Sequence, residues 1–179
     1  NSCDRKQQPT TEISTDIQTI EFENILFKEF LDSIPSRQTP IFLSCGLPNG
    51  SVWVDKFEKY KEFLPENFNL IYGSIDKSEK YKCIIFGQIG DDIYPTLFTY
   101  DNNGKIIDSL FLILSPCGAA DEHQIPYSVA RIDKDFKIIL QDTIKYIHYP
   151  DNQGPYILDS VKTSTIKYKI NKDGQIEKS

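Results

Sequence analysis

The densest cluster of side chains that could do chemistry is Asp121-Glu122-His123, which follows Cys117 in a polar stretch. A cysteine beside a histidine can act as a nucleophile, and carboxylates with histidine can ligate a metal ion. Consecutive loop residues rarely converge on one ion, however, and spacing alone does not establish the geometry of a dyad. We therefore predict a solvated loop with no metal site and no catalytic residue. A hydrolase using Cys/His or carboxylate chemistry stays open as an alternative.

A second segment, 148–156, has the composition of a ligand-binding loop. Tyrosine rings can stack on sugars or peptides, and amide side chains match hydroxyl groups or peptide bonds. A long connection between two strands would have the same composition, so both interpretations stay open. If the loop binds a ligand, Trp53 is expected to lie nearby. The candidate ligand residues are Tyr146, His148, Tyr149, Asn152, Gln153 and Tyr156.

Charge and motif content argue against several other classes of function. The formal net charge of −6 is unfavourable for binding nucleic acid. The sequence has no Gly-rich phosphate loop and no nucleophile elbow, and its Asx-rich turns lack the ligand spacing of an EF-hand. No apolar run is long enough to span a membrane. We predict no cofactor, and a protein, peptide or glycan as the partner.

The first residues predict export and lipid anchoring. Asn1-Ser2-Cys3-Asp4 reads like the end of a bacterial lipobox, and the sequence has no methionine. The chain then stays polar to Thr15, as a tether would. We expect lipidation at Cys3, a tether over 1–15 and a single domain over 16–179. The protein would then be held in the cell envelope by its lipid, facing the periplasm or the cell surface.

Three cysteines remain after Cys3. Cys45 and Cys117 both precede glycine in turn-like surroundings, so a disulfide between them is possible in an oxidising compartment. Cys83 lies in the middle of an apolar segment, where a buried free thiol behaves as a small hydrophobic side chain.

The elements that must position these residues are set by a repeated turn. Segments 100–106, 132–138 and 170–176 share the order apolar, Asx, polar, Asx, Gly or Phe, Lys or Gln, Ile. Asx at the first turn position and Gly at the fourth are typical of a hairpin closed by a type I turn and a Gly bulge. Phe136 stands where the other two turns have glycine, so we expect a different turn there.

These corners predict an α+β domain. We expect a curved antiparallel β-meander of about seven or eight strands, with two N-terminal helices packed on one face; a closed barrel is the alternative. The apolar run 110–114 should be a central strand, and Trp53 should anchor the second helix in the core. The candidate strands are Phe68–Ile75, Tyr81–Ile89, Thr96–Tyr100, Lys105–Leu114, Ser128–Ile132, Lys137–Ile147, Ser164–Ile170 and Gln175–Lys178.

The lipobox-like Cys3, the aromatic helices and the segment Tyr100-Asp101-Asn102-Asn103-Gly104-Lys105-Ile106-Ile107-Asp108-Ser109 together resemble a broad group of small lipoproteins from gut-dwelling anaerobic Gram-negative bacteria. No activity defines that group. The resemblance covers the full length and implies export and lipidation at Cys3, and it carries over no catalytic or ligand residue.

Two main hypotheses of function follow. The chain is expected to be a non-catalytic binding or interaction module of the cell envelope. Alternatively, it is a structural or immunity-type envelope protein that acts through a flat protein interface.

Overall fold

A computed structural model describes residues 25–46, 49–75, 79–115, 123–150 and 155–179. Residues 25–33 are α-helical, and a 3-10 helix with two non-helical residues inside it covers Val54–Phe63. None of the helices in these ranges combines the length and the apolar character needed to cross a membrane. The strands are β1 (Ile41–Ser44), β2 (Val52–Trp53), β3 (Leu70–Ile75), β4 (Lys82–Ile89), β5 (Ile93–Tyr100), β6 (Ile106–Phe111), β7 (Gln124–Ile132), β8 (Lys137–His148), β9 (Ile157–Ile170) and β10 (Ile176–Lys178).

The strands form two antiparallel sheets of five strands each. Sheet 1 has the order β2-β3-β4-β5-β6, and sheet 2 has the order β1-β7-β8-β9-β10. The prediction of an antiparallel fold is confirmed. The closed barrel is wrong, and the single meander of seven or eight strands is corrected to two sheets, with ten strands among the described residues. Chain neighbours pair throughout β3–β6 and again throughout β7–β10, but β6 does not pair with β7.

The change of sheet explains why the run 110–114 was misread. We predicted a central strand there because both faces are apolar, but β6 is the edge strand of sheet 1 and ends at Phe111. Leu112 and Ile113 are buried where the chain leaves sheet 1. In the described part of the chain, the longest run of buried residues in a strand is 95–100 of β5, and residues 83–87 of its neighbour β4 are buried as well.

Two hydrophobic cores lie on the two faces of sheet 1. One core joins sheet 1 to sheet 2, with Cys83, Ile85 and Leu97 packed in one cluster with residues of β7 and β8. The other core covers the opposite face of sheet 1 with the 25–33 helix and the 3-10 helix. Phe27 and Phe30 lie in this second core.

The prediction of two N-terminal helices packed on one face is not confirmed. The second segment is the kinked 3-10 helix, which buries Phe57 and Phe63. Trp53 is not a core anchor: it belongs to β2, precedes this helix and is 51% exposed. The pattern at helical spacing was misleading because aromatic residues also fit a strand end that borders solvent.

All three predicted corners are present, and they share one turn. In each, the N–H of the fourth residue donates to the first Asx carbonyl: Gly104 to Asp101, Phe136 to Asp133 and Gly174 to Asn171. The expectation of a different turn at Phe136 is wrong. Phe136 adopts φ +54° like a glycine, and its ring is buried in the core between the sheets.

Candidate functional site

The outer segments of β8 and β9 form what we define as the arm, residues 143–149 and 155–165. Strand β7 pairs with the β8 half of the arm as far as Tyr146, and β9 forms its outer side. Every β9 residue in this arm, from Ile157 to Thr165, is exposed, although side chains on a strand alternate between two faces. This half of the arm is therefore uncovered on both sides.

A buried carboxylate holds the base of the arm. Asp142 of β8 is 8% exposed, and each of its oxygens accepts a hydrogen bond from a serine hydroxyl: Ser115 at 2.6 Å and Ser128 at 2.9 Å. The Ser128 hydroxyl also accepts the N–H groups of Leu114 and Ser115. The carboxylate thus ties the crossover between the sheets to β7 and β8, at the point where the arm begins.

A β-bulge shapes the outer part of the arm. Tyr146 pairs with Ser160 but the next residue, Ile147, pairs with Leu158, so Asp159 is the extra residue of β9. The Nδ1 atom of His148 lies 2.6 Å from Oδ1 of Asp159. Asp159, the one acidic residue of β9, therefore has its partner within the arm.

The end of the arm carries a half-exposed apolar surface. The rings of Tyr149 and Tyr156 meet edge to face, with centroids 6.4 Å apart and planes at 79°. Scattered apolar residues are normal on a surface, but several neighbouring ones on a projecting element indicate an interaction site. The apolar residues of the arm and of the adjacent β7 that are about half exposed are Tyr127, Tyr149, Tyr156, Ile157, Leu158 and Val161.

The predicted ligand loop is brought together only in part. His148, Tyr149 and Tyr156 lie at the end of the arm, and Tyr146 is half-buried on β8. Asn152 and Gln153 lie outside the described residues. Trp53 is not part of this site, because β2 is one edge of sheet 1 while the opposite edge, β6, is the one that approaches β10.

Sheet 2 has a charge opposite in sign to the whole chain. Its strands contain seven Lys or Arg residues and three Asp or Glu residues, whereas the chain has a net charge of −6. One of the three acids, Asp142, is buried against serines. Within the described ranges, no ion pair involves Lys162, Lys167 or Lys169 of β9. Strand β9 is therefore basic, and one of these three lysines, Lys162, lies in the arm.

The free edge of β9 is the feature that sequence reasoning missed. β10 pairs with Tyr168–Ile170, Ser179 bonds to Lys167, and none of the other described strands pairs with β9 on that side. The alternation of apolar and polar residues is weak over 157–163, because the bulge at Asp159 interrupts it.

A separate groove lies between the 25–33 helix and sheet 1. It has a volume of about 580 Å³, an apolar floor that includes Phe27 and Leu31, and a rim with Lys28 and Asp32. Those two rim residues already form an ion pair at 2.5 Å. We place the candidate site on the arm, because Lys28 and Asp32 of the groove's rim are partnered with each other.

The other predicted site residues are placed as follows. Cys83 is a buried free thiol, as predicted, and burial raises its pKa to about 12. Cys45 is disulfide-bonded, but its predicted partner Cys117 lies outside the described residues, so the pairing stays a prediction. Asp121, Glu122 and Cys3 also lie outside them. Among the residues that the structure describes, no three His, Cys, Asp or Glu side chains gather as metal ligands would.

Comparisons of the chain with protein-family models, with curated proteins and with solved structures found no match.

Proposed function

We propose that this chain is a cell-envelope lipoprotein, anchored through Cys3, that acts as a non-catalytic interaction module. The arm is its binding element, and its partner is a protein or peptide. The observation that carries this proposal is the apolar surface at the end of the arm, where Tyr149, Tyr156 and Leu158 are each about half exposed. Aromatic anchors of this kind dominate the energy of protein interfaces.

The geometry of the tyrosines favours a polypeptide partner over a glycan. Sugar rings stack on flat aromatic faces, whereas the planes of Tyr149 and Tyr156 stand at 79° to each other. The two rings therefore meet at an angle, and an aliphatic side chain of a partner can pack into that angle. The open edge of β9 beside them supplies backbone hydrogen-bonding groups, which a polypeptide matches.

Lipid anchoring is tested on the protein isolated from the membranes of the organism that produces it. Mass spectrometry of the N-terminal peptide should show fatty acyl groups on Cys3, and Cys3→Ser should release the protein into the soluble fraction. An unmodified Cys3 in the membrane-derived protein would contradict this part of the proposal.

Binding by the arm is tested by photo-crosslinking. Purified chain carrying benzoyl-phenylalanine in place of Tyr156 is irradiated with envelope extract. The matched control carries the same group in place of Glu58, whose side chain is 82% exposed on the 3-10 helix. We expect a discrete adduct from position 156, absent from position 58 and suppressed by excess wild-type chain. Equal labelling from both positions would mean that the arm is not the binding element.

A further inference from the structure

The backbone of β9 offers an unpaired row of hydrogen-bonding groups. The N–H of Ser179 donates to the carbonyl of Lys167 at 2.9 Å, so the backbone of Lys167 faces away from β8. Alternate residues of an antiparallel strand face the same side, and the register with β8 is unbroken from Ser160 to Lys169. The N–H and C=O groups of Val161, Thr163 and Thr165 therefore point to the open edge.

This edge has the properties of a pairing template. Proteins usually protect exposed edge strands by keeping them short, by placing proline or inward-pointing charges on them, or by covering them. The open part of β9 spans 157–166, and its edge-facing residues Val161, Thr163 and Thr165 are β-branched and favour the extended conformation. Lys162 is the one basic residue between the bulge and Lys167.

We propose that an extended segment of another polypeptide adds to this edge as a sixth strand of sheet 2. Its backbone pairs with Val161, Thr163 and Thr165, and its apolar side chains lie against Leu158 and Val161. This inference rests on the proposed function, because it specifies how the arm binds its partner.

Charge selects the partner. Lys162 lies within the open edge and has no ion-pair partner among the described residues, so an acidic side chain on the added strand would lie beside an unpaired ammonium group. A second copy of the chain would instead bring two basic edges together, and each copy has a net charge of −6. The occupant is therefore a strand that combines apolar and acidic residues.

The test uses two synthetic peptides of about nine residues, a length that matches the open edge. Both alternate valine and threonine with a charged residue, which is glutamate in one peptide and lysine in the other. Binding to the full chain is followed by fluorescence anisotropy. We expect the glutamate peptide to bind at least about tenfold more tightly than the lysine peptide. We expect about 0.5 M salt to weaken the binding of the glutamate peptide.

Two variants at one position separate backbone pairing from binding by side chains. Thr163→Pro removes an edge N–H that has no role in the β8–β9 ladder, so the fold should persist. Thr163→Val keeps that N–H. We expect Thr163→Pro to lower the affinity for the glutamate peptide at least about tenfold. We expect Thr163→Val to keep that affinity within about twofold of wild type.

Several results would overturn strand addition. They are equal binding of both peptides, unchanged binding by Thr163→Pro, or a Thr163→Pro-sensitive dimer of the chain alone. The failure of this inference is distinguishable from failure of the proposed function. If the adduct at position 156 survives Thr163→Pro, the arm binds by another mode; if wild-type chain gives no adduct there, the arm is not a binding element.

Discussion

The ring of Phe136 packs edge-on against the ring of Tyr81, with centroids 6.0 Å apart and planes at 66°. This contact explains how a bulky side chain occupies a turn position that suits glycine. Phe136 has φ +54°, which costs an L-residue about 1–2 kcal/mol. Burying the ring in the core between the sheets offsets that cost.

This relationship predicts an unusual order of stability for two variants. Phe136→Ala loses the buried ring, which costs about 3–5 kcal/mol, and keeps the left-handed strain. Phe136→Gly loses the ring but relieves the strain, so it should be more stable than Phe136→Ala by about 1 kcal/mol. Urea unfolding of both variants measures the difference. The matched control is Phe98 of β5, which is equally buried at 8% but lies in a strand. There Phe98→Ala should be more stable than Phe98→Gly.

A second prediction concerns the glycine of the first corner. A Cβ atom on Gly104 would lie 2.5 Å from the ring of Phe63, whereas one on Gly46 would meet nothing within 4 Å. Both glycines have positive φ, so both alanine variants carry backbone strain. We expect Gly104→Ala to be less stable than Gly46→Ala by about 1–3 kcal/mol, the usual range for overpacking. Equal losses of stability in the two variants would contradict this prediction, because they would mean that Phe63 moves aside at no cost in free energy.

A third prediction concerns stability at high pH. Burial raises the pKa of Cys83 from 9.0 to about 12. Between these values the unfolded thiol loses its proton while the folded one keeps it, so the free energy of unfolding falls as pH rises. The slope is at most about 1.4 kcal/mol per pH unit. The stabilisation is fully present below pH 9. Unfolding by urea at about pH 8 and about pH 10.5 should show a flatter pH dependence for Cys83→Ala.

A fourth prediction links the disulfide to lipidation. Cys45 is disulfide-bonded and Cys83 is free, so the pairing partner of Cys45 is decided between Cys3 and Cys117. Non-reducing peptide mapping should recover Cys45 joined to Cys117, because an acylated Cys3 has no thiol to offer. Recovery of Cys45 joined to Cys3 would contradict both the predicted pairing and the lipid anchor.

The hairpins were predictable because their signal is local. Asx at the first turn position and glycine at the fourth specify the corner within one short segment, as at Asp101 and Gly104. Phe136 misled the sequence reasoning because the compensating contact with Tyr81 joins residues far apart in the chain. The division into two sheets was not predictable, since buried Leu112 and Ile113 at the crossover look the same as a buried strand.

The candidate site was predictable in composition but not in geometry. The tyrosine-rich loop indicated Tyr149 and Tyr156, and the structure brings their rings together. The open edge of β9 depends on which part of β9 pairs with β10. This pairing joins two separate segments, so it cannot be read from the sequence of either one. Trp53 was misplaced for the related reason that its neighbours, rather than its own type, decide its exposure.

The most direct test of the arm as the binding element is Val161→Glu, compared with Ile89→Glu on β4 as a control of similar exposure in sheet 1. Both side chains are exposed, so each variant should keep its free energy of unfolding within about 0.5 kcal/mol of wild type. We expect Val161→Glu to abolish the adduct from position 156 and Ile89→Glu to leave it unchanged. An adduct of wild-type yield from the folded Val161→Glu variant would contradict the assignment of the arm.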